Sequence, residues 1–179
     1  MSPSLQFSSM PEIQIDPSAI YQAVMETDVG SITIELDAQR ALQTVNNFVF
    51  LSNQGYYEGA PFHRVIQGFM VQGGDPTGTG RGGPGYNIPD EFPTWPNPYE
   101  IGTLAMANTG RPNSGGSQFF IVTGPSGVSL PPAYTAFGRV SEGMDVVNHI
   151  SLDGAPPYDP TGSGIPLVTH QIIKVTVTP

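Results

Sequence analysis

The stretch Phe62-His63-Arg64-Val65-Ile66-Gln67-Gly68-Phe69-Met70-Val71-Gln72-Gly73-Gly74-Asp75 decides how the chain is read. It is strand-like on both sides of Gln67-Gly68, with β-branched and aromatic residues flanking that interruption. Alternation along its first half puts Arg64 on the same face as Phe62 and Ile66. An arginine inside a strand is conspicuous here, because six basic residues stand against 15 acidic ones. By itself the segment fits two descriptions. One is a core strand whose arginine makes a structural ion pair; the other is the wall of a site carrying a fixed positive charge.

Upstream, Tyr21–Thr27 and Ser31–Leu36 read as a hairpin around Asp28-Val29-Gly30, with Ile32, Ile34 and Leu36 alternating against polar neighbours. Leu42, Val45, Phe48, Val49 and Ser52 have helical spacing, and Gly55 is placed to end that helix in a left-handed cap. Downstream, residues 73–98 are dominated by Gly, Pro and Asn and read as a long ordered loop. Thr103–Ala107, Gln118–Thr123 and Thr135–Val140 read as short strands, and Met144–Ile150 as a short helix. After a Pro/Gly-rich connection over 153–166 comes a last strand, Gln171–Thr178, with Ile173, Val175 and Val177 on one face. Residues 1–20 are expected to form an N-terminal arm laid on the domain through Ile13, Ile15 and Ile20. Residues 21–179 form one domain. Many short strands with two helices predict a mostly β fold, an eight-stranded closed antiparallel β-barrel capped by two α-helices, which leaves no sheet edge exposed.

Composition narrows the functions. The 179 residues include 22 Gly and 19 Pro but carry only 12% charged residues, against a usual share of about 25%. That excludes coiled coils and long-helix bundles. The net charge of −9, with Lys174 the only lysine, disfavours nucleic acid and anionic membranes. Without cysteine there is no disulfide, thiolate nucleophile or cysteine-ligated zinc. The opening residues lack a basic n-region and an apolar h-region, and no apolar run reaches membrane-span length, so a cytoplasmic protein is expected. Gly78-Thr79-Gly80-Arg81-Gly82-Gly83 matches a dinucleotide fingerprint by letters only, since Pro84 follows where a helix should begin. His63, His149 and His170 show no metal-ligand or triad spacing. The last two are expected to be surface or half-buried, and neither metal nor cofactor is expected.

Four separated motifs carry more. The opening stretch, Met106-Ala107-Asn108, Gly116-Ser117-Gln118-Phe119-Phe120-Ile121 and Ala136-Phe137-Gly138-Arg139-Val140 together resemble the signature set of the cyclophilins, the cyclosporin-binding peptidyl-prolyl cis–trans isomerases. The likeness runs from about Tyr21 to the C-terminus. Gly74–Gly80 and Pro89-Asp90-Glu91-Phe92 look like the compact bacterial form of the family.

The reaction this implies is rotation about an Xaa–Pro bond, against a barrier of roughly 18–20 kcal/mol from amide resonance. No bond is broken, so neither nucleophile nor metal is needed. The resemblance makes Arg64 the catalytic arginine, donating toward the prolyl nitrogen as its lone pair localises, with Gln72 as its polar support. It makes Phe69, Met70, Phe120 and Leu130 the cup for the proline ring. Asn108, after Ala107, becomes the anchor for the residue before proline, and His63 and Gln118 the flanking positions. The partners implied are proline-containing peptides and folding polypeptides, met by a monomer. The pattern departs within Val128–Phe137. Ser129 stands where many members have a tryptophan that bonds cyclosporin, Tyr134 replaces a histidine, and Pro131-Pro132 replaces Asp-Gly, so cyclosporin should bind weakly. Arg111-Pro112 adds a residue to the pocket rim. The altered loop motivates an alternative, a proline-binding module with weak catalysis.

Overall fold

The computed structural model describes residues 5–179. One sheet holds eight strands, β1 (Ile20–Thr27), β2 (Gly30–Asp37), β3 (Arg64–Ile66), β4 (Met70–Gly73), β5 (Thr103–Met106), β6 (Phe119–Val122), β7 (Ala136–Glu142) and β8 (Ile172–Thr178). Their order is β3-β4-β6-β5-β7-β2-β1-β8, antiparallel throughout. Three helices accompany them among the described residues: α1 (Leu42–Asn53), the four-residue α2 (Pro125–Val128) and α3 (Met144–Leu152). The short α2 was not expected.

The expected closed barrel is corrected to an open one. β3 and β8 are the two edges of the sheet and share no ladder; a single bridge, Pro61 with Gln171, lies between them. Around that bridge Gly59 N donates to Ile172 O at 2.7 Å, Ile172 N to Ala60 O at 2.8 Å and Phe62 N to His170 O at 2.9 Å, but no ladder follows along β3. The free edge of β3 is instead covered by the Pro/Gly-rich connection. Val65 N donates to Gly164 O at 2.8 Å, Ala155 N to Val65 O at 2.8 Å and Gln67 N to Ala155 O at 2.9 Å. A loop thus satisfies the polar groups that closure would have paired.

α1 ends as its sequence predicts. Gly55 is left-handed at φ 70°, and Tyr56 N and Gly55 N donate to the Leu51 and Ser52 carbonyls in a Schellman cap. Its start has no capping side chain of its own. The Glu91 carboxylate, brought in by the long loop, accepts from Gln43 N at 3.1 Å and Thr44 N at 2.7 Å, complementing the helix dipole.

The last strand corrects a face assignment. A register shift between Glu26 and Thr27 leaves Ile173 without a partner in β1. This bulge turns Ile172 and Val175 inward and leaves Ile173 53% exposed. The arm also differs from expectation. Ile15 packs on the core, but Ile13 and Ile20 are exposed. Phe7 takes their place, edge-on to Phe50 at 5.0 Å, while its N–H donates to Pro84 O. Residues 1–4 lie outside the described residues.

Candidate functional site

Strand alternation divides β3–β6 into two apolar faces. Val65, Val71, Ile121 and Leu104 are successive cross-strand partners and point into the main core with Phe48 and Phe137. Their neighbours point the other way. Ile66 pairs with Met70 and Met70 with Val122; Arg64 pairs with Gln72, Gln72 with Phe120 and Phe120 with Ala105. On this second face Ile66, Met70, Tyr99, Ala105, Phe120, Val122 and Ala136 form a separate buried cluster. Phe69, Trp95, Ala107, Leu130 and Tyr134 pack on it and stay partly open to solvent. Met70 and Phe120 are therefore the floor of a cup, and Phe69, Ala107, Leu130 and Tyr134 belong to its rim. Phe62 belongs to the main core, so the expectation that it shares a face with Arg64 is corrected. The backbone before β3 is irregular, and the alternation does not extend to it.

Polar groups line one side of the cup. Arg64 Nη1 donates to Gln72 Oε1 at 3.4 Å and its Nη2 to Gly162 O at 3.4 Å. Both acceptors are neutral, and among the described residues Arg64 joins no ion pair. The guanidinium also lies 5.8 Å from the Phe69 ring centroid. Gln72 Nε2 passes the network on to Gln118 Oε1 at 3.1 Å, and Gln118 Nε2 donates to Gly80 O and Gly82 O at 3.0 Å each. His63 lies beside Gly80 with its Nδ1 buried and unpartnered. Burial holds the His63 imidazole below the ordinary histidine range; the Asp75 charge opposes this and the Arg64 charge adds to it. Beyond Gln72 and Gln118 a groove of about 680 Å³ runs past Ala107, Asn108 and Gly80–Tyr86, with Gln6 of the arm at its edge.

Two turns of nearly the same sequence brace this wall. Asp75-Pro76-Thr77-Gly78-Thr79-Gly80 and Asp159-Pro160-Thr161-Gly162-Ser163-Gly164 each fold around their aspartate. Asp75 accepts from Thr77 N at 2.8 Å, Gly80 N at 2.8 Å and Gly82 N at 3.0 Å. Asp159 accepts from Thr161 N and Gly164 N at 3.0 Å each. The first turn presents the Gly80 carbonyl to Gln118; the second presents the Gly162 carbonyl to Arg64. Gly164 must be small, since a Cβ there would stand 2.8 Å from Arg64 Cγ. The sequence reading passed over this second turn, although the repeated Asp-Pro-Thr-Gly was the available signal.

The divergent loop is held by Tyr99, which nothing in the sequence singles out, and by Asn108. The buried Tyr99 donates its hydroxyl to Tyr134 O at 2.8 Å and accepts from Tyr134 N at 3.1 Å. Tyr134 in turn stands edge-on to Phe120 at 5.5 Å. Asn108 Nδ2 donates to Ala133 O at 2.9 Å, so its side chain secures the loop, and the residue also lines the groove. Arg111-Pro112 lies in a turn pinned by Asp90, which exchanges hydrogen bonds with Asn113. Tyr99→Phe strands both backbone groups of Tyr134 and is expected to cost about 1–3 kcal/mol. Urea unfolding reads that loss, and KM for a proline peptide should rise more than kcat falls.

The comparisons with known proteins agree with this architecture. The family profile described as cyclophilin type peptidyl-prolyl cis-trans isomerase/CLD matches residues 22–177. A peptidyl-prolyl cis-trans isomerase of Synechococcus elongatus is 51% identical over 121 residues, covering 68% of this chain and 81% of its own. A peptidyl-prolyl cis-trans isomerase-like 1 of Rhizopus delemar is 48% identical over 134 residues, covering 73% and 80%. The crystal structure of a Cryptosporidium parvum cyclophilin-type isomerase superposes with a TM-score of 0.79 at 33% identity, over 90% of this chain and 99% of that one. A second structure of that protein was determined in the presence of the dipeptide Ala-Pro. The chain therefore belongs to the cyclophilin family and is a peptidyl-prolyl cis–trans isomerase.

Proposed function

We propose that isomerisation takes place on the second face of β3–β6, with Arg64 acting on the prolyl amide and the Met70–Phe120 cup holding the ring. The observation that carries this is a guanidinium held between two neutral carbonyl acceptors, Gln72 Oε1 and Gly162 O, beside an apolar hollow. In the planar amide the nitrogen lone pair is delocalised into the carbonyl and is a poor acceptor. At the twisted state it localises, and a donor already in place gains strength without reorganising. Gln72 can bond the substrate backbone while steadying Arg64. The residues before proline lie in the groove past Ala107 and Asn108, which Gln118 lines, with His63 beside Gly80 at its edge.

Substrates are then exposed Xaa–Pro bonds in peptides and folding chains, acted on by a monomer whose residues 21–179 are the catalytic unit. Cyclosporin binds weakly, because Ser129 is small and its hydroxyl is turned back to the Pro125 carbonyl at 3.0 Å. The test is NMR exchange on a short Ala-Pro peptide with isotope-labelled protein. Peptide-dependent shifts should centre on Phe69, Phe120, Leu130 and Gln118, and equimolar cyclosporin should leave exchange largely intact. Shifts centred instead on the surface around Ile20, Arg40 and Arg139 would overturn the placement.

A further inference from the structure

Two of the three histidines play no part in the isomerase face, and the fold brings them together. His149 and Asp153 are one turn apart at the C-terminal end of α3, and His170 leads into β8. Asp153 Oδ2 lies 2.7 Å from His170 Nε2 and 3.6 Å from His149 Nε2, and the three ligand atoms all fall within 4.8 Å of one another. The two imidazoles meet edge to face with centroids 5.5 Å apart. His170 was expected at the surface or half-buried; its side chain is only 5% exposed. Its Nδ1 stands 2.9 Å from Asp28 Oδ2, and the other Asp28 oxygen accepts from Gln171 N at 2.9 Å. An ion bound here takes the place of the proton by which Nε2 donates to Asp153 Oδ2 at 2.7 Å, while the Asp28 carboxylate accepts from Nδ1–H and fixes the ring. This is the outer-shell arrangement that metal-binding histidines use.

We propose that His149 Nε2, Asp153 Oδ2 and His170 Nε2 bind one divalent transition-metal ion of the zinc class. Zinc–nitrogen and zinc–oxygen bonds of about 2.0–2.2 Å in a tetrahedron place ligand atoms about 3.3 Å apart. The observed separations bracket that value, and the exposed His149 side chain can swing to meet it. Two imidazoles with one carboxylate select zinc, nickel or copper over magnesium or calcium, which take oxygen shells. The net charge of −9 favours a cation at the surface. Sequence spacing conceals the site because its third ligand lies 17 residues past the second.

The ion would clasp the two ends of the segment 153–170. The backbone already closes that segment, with Leu167 N and Val168 N donating to Asp153 O. The same segment carries the Gly162 carbonyl to Arg64. The experiment is calorimetric titration of ZnCl2 into the metal-stripped full chain, with MgCl2 as the control. One equivalent of zinc should bind, with no magnesium signal, and the zinc-loaded chain should melt higher. His149→Ala, an exposed change that leaves folding and isomerisation intact, should weaken zinc binding by about tenfold or more. Asp28→Asn should weaken it by about 10–100-fold through loss of ring orientation. No one-to-one zinc binding by the wild type, or binding unchanged in His149→Ala, overturns the proposal.

Discussion

Replacing Arg64 by alanine is expected to lower turnover on an Ala-Pro peptide by about 10²-fold or more, the scale of losing one preorganised donor at a developing charge. The fold should survive, because Arg64 is half-buried on a three-residue edge strand and its hydrogen bonds, both at 3.4 Å, are long. Peptide affinity should change far less than turnover, since the Met70–Phe120 cup is untouched. That split separates an interaction made at the twisted state from uniform binding. Arg64→Lys should recover only part of the loss. A single ammonium cannot face Gln72 and Gly162 while also offering a donor to the amide, whereas the planar fork can. NMR exchange rates with peptide titrations for both variants decide the matter. Near-wild-type turnover in Arg64→Ala would remove the residue from the mechanism.

The same strands show why part of this was legible in the sequence and part was not. Hairpin alternation over Ile32, Ile34 and Leu36 reports one buried face, and the helical spacing from Leu42 to Ser52 marks α1, which forms where expected although the polar Thr44, Asn46 and Asn47 are buried with its apolar residues. β5 and β6 are buried on both faces, so Phe119-Phe120-Ile121-Val122 shows no alternation at all. Periodicity alone could not separate Phe119, in the main core, from Phe120, on the floor of the cup. The motif resemblance made that distinction. Long-range polar contacts were not readable: Tyr99 to the Tyr134 backbone, Glu91 to the start of α1, and the loop covering β3 all join residues with no local signal of pairing. Ile173 failed for a different reason. A one-residue bulge reverses every side-chain direction beyond it, and its position depends on the partner strand.

Asp75 should prove to be the residue on which the polar wall depends most. Its carboxylate is inaccessible to solvent and accepts from Thr77, Gly80 and Gly82 backbone N–H groups, with the Thr77 hydroxyl adding a bond at 2.7 Å. Gly82 comes so close that a side chain there would collide with the carboxylate. Burial pushes the Asp75 carboxyl up, but the bonds from Thr77, Gly82 and Gly80 together outweigh it and hold the group below its ordinary value of 3.8. Asp75→Asn keeps the shape but replaces one acceptor oxygen by an NH2 that faces existing donors. We expect a loss of about 3–5 kcal/mol, with two or more unmatched donors at about 1–3 kcal/mol each. For a chain of this length that corresponds to a melting temperature lower by about 10 °C. Activity should fall as well, because Gln118 loses the Gly80 and Gly82 carbonyls that aim it at Gln72. The sign of the pH effect follows from the lowered value. Stabilisation by the charged group is fully present above about pH 4 and disappears as pH falls through the depressed pKa. Denaturant unfolding of the wild type and Asp75→Asn at a series of pH values should give stabilities that differ most near neutrality and converge in acid. A constant gap from pH 7 to pH 3 would show that the second acceptor oxygen, and not the charge, is what Asp75 supplies.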